Sequence, residues 1–291
     1  MKAKELAKLL LPPILINFAR RIFPYIRAMG RGNAAIDYQY IPEGWSYAKD
    51  REEVKGWDVE AILEVQKEKW SKFRSLVEGA GPLGISHEGS LESNTDIAQH
   101  NRIMIFAYSI TLASRGSNLL SMFDWGGGIG HYYVLAKSLL PDVEIDYHCK
   151  DLPLLAQHGS RLFPDQHFYS DDAWLNRRYD FVMASSSLQY AQDWQQVFSK
   201  LSSVAAKYLL VTRLPTVVGV PSFVFLQRPY AFGYGTEYLG WCLNRDNFLA
   251  EANKLGLVLV REFVIGPRPR IYRAPEQAFS RGFLFKITPS N

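Results

Sequence analysis

From Leu119 onward, apolar positions fall into two alternating patterns: short continuous runs, and longer stretches in which they recur every three or four residues. The runs at Leu119–Phe123, Val143–Cys149, Gln166–Ser170, Phe181–Ala184, Tyr208–Thr212, Leu257–Val264 and Gly282–Ile287 predict seven strands. Between them, helical spacing predicts helices over Tyr132–Leu140, from Pro153 to about Phe163, over Trp194–Ala206, and from a cap at Asn244 to Gly256. Strand and helix in alternation predict an α/β fold, a mostly parallel sheet with helices on both faces.

Ahead of that core the spacing changes. Val59–Val77 and Gln99–Ala113 predict two helices, the first with Asp58 as its N-cap. The chain therefore divides into residues 1–30, a helical region over 31–117, and a core over 118–291 that carries an aromatic insertion at 215–243. Within the first stretch Leu6–Phe18 is almost wholly apolar, is broken by Pro12 and Pro13, and is bracketed by Lys2, Lys4, Lys8, Arg20, Arg21 and Arg27. A spanning helix needs about 20 apolar residues, so this stretch is too short to cross a bilayer, and it lacks a small-residue cleavage site. Two readings stand. Residues 1–28 form a basic, apolar anchor at a membrane surface, or they are a helical extension packed on the protein's own core.

Composition narrows the class. Hydrophobic residues at 47% suffice for one large core with a smaller flanking unit, and a net charge of +4 without any aromatic-interleaved basic stripe argues against nucleic acid as a partner. Cys149 and Cys242 form no C-x-x-C pair, which points to a reducing, cytoplasmic setting, at the inner face of the membrane if the anchor reading holds. His87, His148, His158 and His167 have no spacing with acids that would argue for a metal.

The candidate chemistry centres on Phe123-Asp124-Trp125-Gly126-Gly127-Gly128-Ile129-Gly130-His131, a strand ending in an acid, a glycine turn and the start of a helix. Glycines let a ligand approach the backbone, and the helix start adds oriented N–H groups. A dinucleotide fingerprint would need glycine where His131 stands, which weakens an NAD(P)-dependent oxidoreductase reading. The D-x-G-G-G-x-G spacing resembles motif I of class I S-adenosylmethionine-dependent methyltransferases, and that resemblance implies a Rossmann-like sheet. In an open parallel sheet the ligand lies beyond the carboxyl ends of the strands, so the loops there are the candidate cofactor site: Asp124, Gly126, Gly127, Gly128 and Gly130; Asp151 and Leu152 after the second strand; Asp171, Asp172 and Ala173 after the third; Ser185 and Ser186 after the fourth. Asp151 is placed to accept hydrogen bonds from ribose hydroxyls, and it equally suits a helix N-cap.

The blocks Ser185–Tyr190, Tyr208–Pro215, Leu226-Gln227-Arg228 and Tyr238-Leu239-Gly240-Trp241, with Trp45–Ala48, Gly56-Trp57-Asp58 and Arg281–Phe285, resemble an uncharacterised bacterial family of methyltransferase-like proteins met beside surface-polysaccharide genes. Two positions depart from it: Lys150-Asp151-Leu152-Pro153 where a Glu-Gln-Pro ending is expected, and His131 where a small polar residue is expected. The resemblance implies methyl transfer from S-adenosylmethionine, leaving S-adenosylhomocysteine, to a hydroxyl of a small or lipid-linked glycan. A methyltransferase-like chain that binds without turnover stays open as an alternative. His131, Tyr190 and His100 are the candidate bases, with a solvent-exposed helix start as the plainer reading of His131. Gln189, Tyr190, Arg213, Arg228, Tyr238 and Trp241 are the candidate acceptor contacts, with the aromatic insertion as a lid or else a satellite cluster.

Overall fold

Strand β2 (Leu119–Trp125) is apolar on both faces because it runs through the middle of the sheet, with Leu120, Met122 and Phe123 all inaccessible to solvent. This is the computed structural model of the chain; it describes residues 37–49, 51–87, 89, 91–267 and 270–288. The readings made for residues 1–30, the membrane anchor among them, lie outside that set. Among the described residues no helix is long and apolar enough to cross a membrane.

The parallel partners of β2 are β3 (Glu144–Lys150), flanked by β4 (His167–Tyr169), and β5 (Tyr179–Ser185), flanked by β6 (Ala205–Val217). Beyond β6, β10 (Phe279–Ile287) and then β9 (Leu257–Pro267) pair antiparallel. The core order β4-β3-β2-β5-β6-β10-β9 contains every strand that the apolar runs predict, and it reverses direction between β2 and β5.

Helices cover both faces. Successive residues of β5 point to opposite sides: Phe181 and Met183 join a cluster with Ile103, Phe106 and Ile110 of α2 (Ile97–Ser114) and with Val134 and Leu135 of α3 (His131–Leu139). Val182 and Ala184 join Trp194, Phe198 and Leu201 of α5 (Trp194–Val204) and Phe248 of α6 (Arg245–Lys254). The other two helices are α1 (Glu60–Glu78) and α4 (Pro153–Leu162), the latter started by a proline whose missing N–H has no partner to lose there. Glu262 ties three elements of this edge: its carboxylate takes Arg245 Nη2 at 2.6 Å and Arg281 Nη1 at 2.7 Å, and the Arg245 bonds hold it below the ordinary carboxylate pKa. Glu262→Ala leaves two half-buried guanidinium groups without their acceptor and is expected to lower stability by about 2 kcal/mol in urea unfolding at pH 7.

Two expectations need correction. The insertion at 215–243 is not a lid loop: it holds β7 (Phe223–Gln227) and β8 (Tyr238–Asn244), paired antiparallel, with the C-terminal end of β8 parallel to Thr216 and Val217 of β6. The region before residue 118 is not purely helical either, since β1 (Tyr38–Ile41) adds antiparallel to β7. Several of the aromatic residues that suggested a lid are buried because this second branch of the sheet packs on both faces, although Tyr230 and Phe232 stay exposed; Phe223 and Phe225 lie in one small cluster, and Val224, Leu226 and Leu239 in another.

Candidate functional site

A cavity of about 320 Å3 opens at the carboxyl ends of β2, β3, β5 and β6, beside the point where the strand order reverses. Its floor is the glycine loop Gly126–Gly128, and one wall is Lys150, Asp151, Leu152 and Leu155, from the end of β3 and the start of α4. A second wall is Ser185, Ser186 and Ser187 with Tyr190, Ala191 and Arg213, and the rest comes from Trp125, Tyr132, Trp57, Gln66 and His87.

Asp151 holds the loop in place. One carboxylate oxygen accepts the Gly128 N–H at 2.6 Å and the other accepts the Leu152 N–H at 2.7 Å. Burial pushes its pKa up, and these two N–H bonds pull the other way. Lys150 is tied to the carbonyls of Asp151 and Ser170, at 3.1 and 2.9 Å. A carboxylate offers about four lone-pair sites, so Asp151 retains acceptor capacity toward the cavity.

Asp124 lies under the loop rather than in the cavity. It is fully buried; Oδ2 accepts the Tyr147 hydroxyl at 2.9 Å, and Oδ1 has no hydrogen-bond partner. Burial raises its pKa to about 7, the Tyr147 bond opposes that, and the Asp151 charge adds to it. The proton is therefore bound more tightly in the folded chain than in the unfolded one. The stabilisation this gives is complete below pH 4 and lost as pH rises through about 7, an effect of roughly 4 kcal/mol. Asp124→Asn keeps the acceptor for Tyr147 and is expected to flatten the stability profile between pH 4 and 7, read by urea unfolding at a series of pH values.

Two non-glycine residues with left-handed backbone face the cavity side by side, Ser186 (φ 57°) and Arg213 (φ 59°), and the Ser186 N–H donates to Thr212 O at 3.0 Å. Such strain persists where the surroundings over-determine it, and here both residues, Ser186 just past β5 and Arg213 within β6, line one space.

Of the residues singled out from sequence, Gly126, Gly127, Gly128, Asp151, Leu152, Ser185, Ser186, Tyr190 and Arg213 line this cavity. The others lie elsewhere. Gly130 caps α3 with its Cα against Phe163 and Phe168. Asp171 bonds the Ala173 N–H, and Asp172 pairs with Lys200 at 2.7 Å on the exposed surface. Gln189 is buried against Ser186 Oγ, and Arg228 is held by Glu237 at 2.9 Å and Gln39 at 3.1 Å. Tyr238 stacks behind Trp57 at 4.2 Å and 24°, while Trp241 donates to Gln192 O at 3.0 Å.

The candidate bases also change. Tyr190 donates its hydroxyl to Gln227 Oε1 at 2.8 Å, and His100 Nδ1 receives the Leu83 N–H. His131 is not an exposed helix start: it is 2% exposed and stacks on His87 at 4.2 Å, and burial followed by the His87 charge drives its pKa well below the usual value. His87 is the histidine that lines the cavity. Sequence reasoning missed Trp57, Gln66 and His87 as wall residues, because all three reach the site from the N-terminal region through long-range packing.

Away from the cavity, Asp146, His148 and His167 bring ligand atoms within 4.8 Å of one another, which linear spacing did not reveal. The Arg177 guanidinium bonds His148 Nε2 at 2.9 Å and pairs with Asp146 at 2.8 Å, so the cluster is built around the Arg177–Asp146 ion pair.

No family model matches the chain. No curated protein matches it either. Among solved structures the chain is similar to a magnesium protoporphyrin IX methyltransferase from Synechocystis with bound S-adenosylmethionine, at 14% identity over 80% of this chain and 100% of that one, with a TM-score of 0.46. A geranyl diphosphate C-methyltransferase from Streptomyces coelicolor aligns at 13% identity over 77% and 98%, with a TM-score of 0.47. An amino pentose methyltransferase from Micromonospora echinaspora aligns at 12% identity over 65% and 91%, with a TM-score of 0.44. At these values the function has to be read from the site itself.

Proposed function

We propose that the chain transfers a methyl group from S-adenosylmethionine to a small-molecule acceptor, the hydroxyl of a glycan or lipid-linked saccharide. The observation that carries this reading is the joint placement of Gly126–Gly128 and Asp151 around one cavity at the reversal of strand order. A glycine floor admits a nucleoside close to the backbone, and a carboxylate beside it suits two ribose hydroxyls. His131 occupies the position where a dinucleotide fingerprint has its third glycine, which disfavours NAD(P).

The sulfonium of the cofactor supplies an activated methyl group. What the protein adds is alignment of acceptor, methyl carbon and sulfur, worth about 7 to 11 kcal/mol in well-oriented reactions. Trp57 and Tyr190, with ring centroids 5.0 Å apart, offer aromatic faces to a sugar ring, and Arg213 offers a cation to a phosphate or carboxylate on it. Among the cavity's titratable side chains, Tyr190 is committed to Gln227, Tyr132 bonds Ser185 at 2.7 Å, and Lys150 and Asp151 are tied to backbone. A hydroxyl acceptor gains from a base, and His87 is the imidazole that lines this cavity.

Calorimetry with S-adenosylmethionine, S-adenosylhomocysteine and NAD tests the cofactor, and transfer of labelled methyl to an extracted glycan pool tests the acceptor. Binding of both sulfur nucleosides with labelled glycan is the expected result. Binding of NAD alone would overturn the reading, and cofactor binding without transfer would leave a non-catalytic binding protein.

A further inference from the structure

Helix α1 buries one stripe, formed by Ile62, Gln66, Phe73 and Val77, in which a glutamine stands where the spacing calls for a hydrocarbon. Gln66 is 5% exposed, lines the cavity, and has an Oε1 with no hydrogen-bond partner. A buried polar atom left unmatched is a net penalty that native structures carry rarely, and such atoms gather where a ligand completes them.

The surroundings of that atom define what it would meet. A Cβ built on Gly128 would lie 3.0 Å from Gln66 Oε1 and 3.4 Å from Nδ1 of His131, so both atoms face the same side of the glycine loop. His131 Nδ1 is likewise buried without a partner. The Gly128 N–H cannot serve either of them, since it donates to Asp151. Burial keeps the imidazole uncharged, and an uncharged imidazole has a nitrogen able to accept.

We propose that Gln66 is a ligand-binding residue: its Oε1 accepts a hydrogen bond from a donor of the nucleoside held over the glycine loop, and His131 Nδ1 flanks the same donor. This deepens the cofactor reading and rests on it. The donor is an N–H or O–H, either the α-ammonium at the amino-acid end of S-adenosylhomocysteine or a ribose hydroxyl. Because Gln66 belongs to α1, occupancy of the site fastens that helix to the loop.

The test is calorimetry of the full chain with S-adenosylhomocysteine and with 5′-methylthioadenosine, which lacks the amino-acid end, for the wild type, Gln66→Met and Gln66→Leu. Affinity for S-adenosylhomocysteine is expected to fall roughly tenfold or more in both variants, as for loss of a hydrogen bond to a charged or strongly polar group. Their unliganded melting temperatures are expected to equal or exceed the wild type's, because an unmatched polar atom has been replaced by an apolar one. That combination separates ligand binding from a structural role, which would lower the melting temperature instead. If the donor is the ammonium, methylthioadenosine binds wild type and variants equally; if it is a ribose hydroxyl, its affinity falls in parallel. Wild type that binds S-adenosylhomocysteine no better than either variant overturns this proposal alone, whereas wild type that does not bind it at all removes the cofactor reading and this proposal together.

Discussion

Asp151→Ala is expected to weaken S-adenosylhomocysteine binding by roughly a hundredfold, the effect of losing two hydrogen bonds to a charged acceptor. The same substitution strips the Gly128 and Leu152 N–H groups of their acceptor, at 2.6 and 2.7 Å in the native chain, so the loop loses its tether even before ligand arrives. A melting temperature lower by several degrees is expected to accompany the loss of affinity. Asp151→Asn separates the two effects. Its single side-chain oxygen can keep one of the N–H bonds, so the unliganded protein should melt close to the wild type while affinity stays low. Full affinity in Asp151→Asn, measured by calorimetry, would mean that the ligand does not use the carboxylate.

Gly127→Ala is expected to destabilise the fold by about 3 kcal/mol, at the upper end for overpacking a filled core. A Cβ there would run into the Asp124 carboxylate, with its Cγ at 2.6 Å, and would lie 2.9 Å from Cys149 Sγ. Both neighbours are fully buried, and neither is the free end of a flexible side chain. The loop must therefore lift, which also removes the floor of the cavity. Gly235→Ala is the matched control: a Cβ there meets nothing within 4 Å, and the change should stay within about 0.5 kcal/mol. Equal urea midpoints for the two variants would refute this account of the loop.

The parts of the molecule legible in the sequence are those where local pattern and burial agree. The seven core strands stand out because a strand covered on both faces carries a continuous apolar run, as Phe181–Ala184 of β5 and Leu209–Val211 of β6 do. The glycine loop and Asp151 are legible because their backbone chemistry is local. The second branch of the sheet was hidden by its own richness: Phe223–Gln227 and Tyr238–Asn244 read as aromatic loop until their pairing is seen, and β1 acquires its meaning only from β7 far along the chain. Gln66 left a faint trace, four residues after Ile62 and seven before Phe73, the spacing of a buried stripe. A polar residue at such a position looks like surface until tertiary contact shows otherwise. His87 left no trace, since nothing local places a loop histidine against another histidine 44 positions later, an offset read directly from the numbering.

Strand β6 has a further consequence. Its first part is bonded to β5 and its last residues to β8, while β10 runs along nearly its whole length. One continuous stretch of backbone thus belongs to both branches of the sheet, joined to β5 over residues 205–212 and to β8 through Thr216 and Val217. Unfolding should accordingly be a single event: in native-state hydrogen exchange, amides of β7 and β8 should share the opening free energy of β5 and β6 instead of exchanging ahead of them as an independent unit. The wall that carries Tyr190 and Arg213 would then be as durable as the floor that carries the glycines.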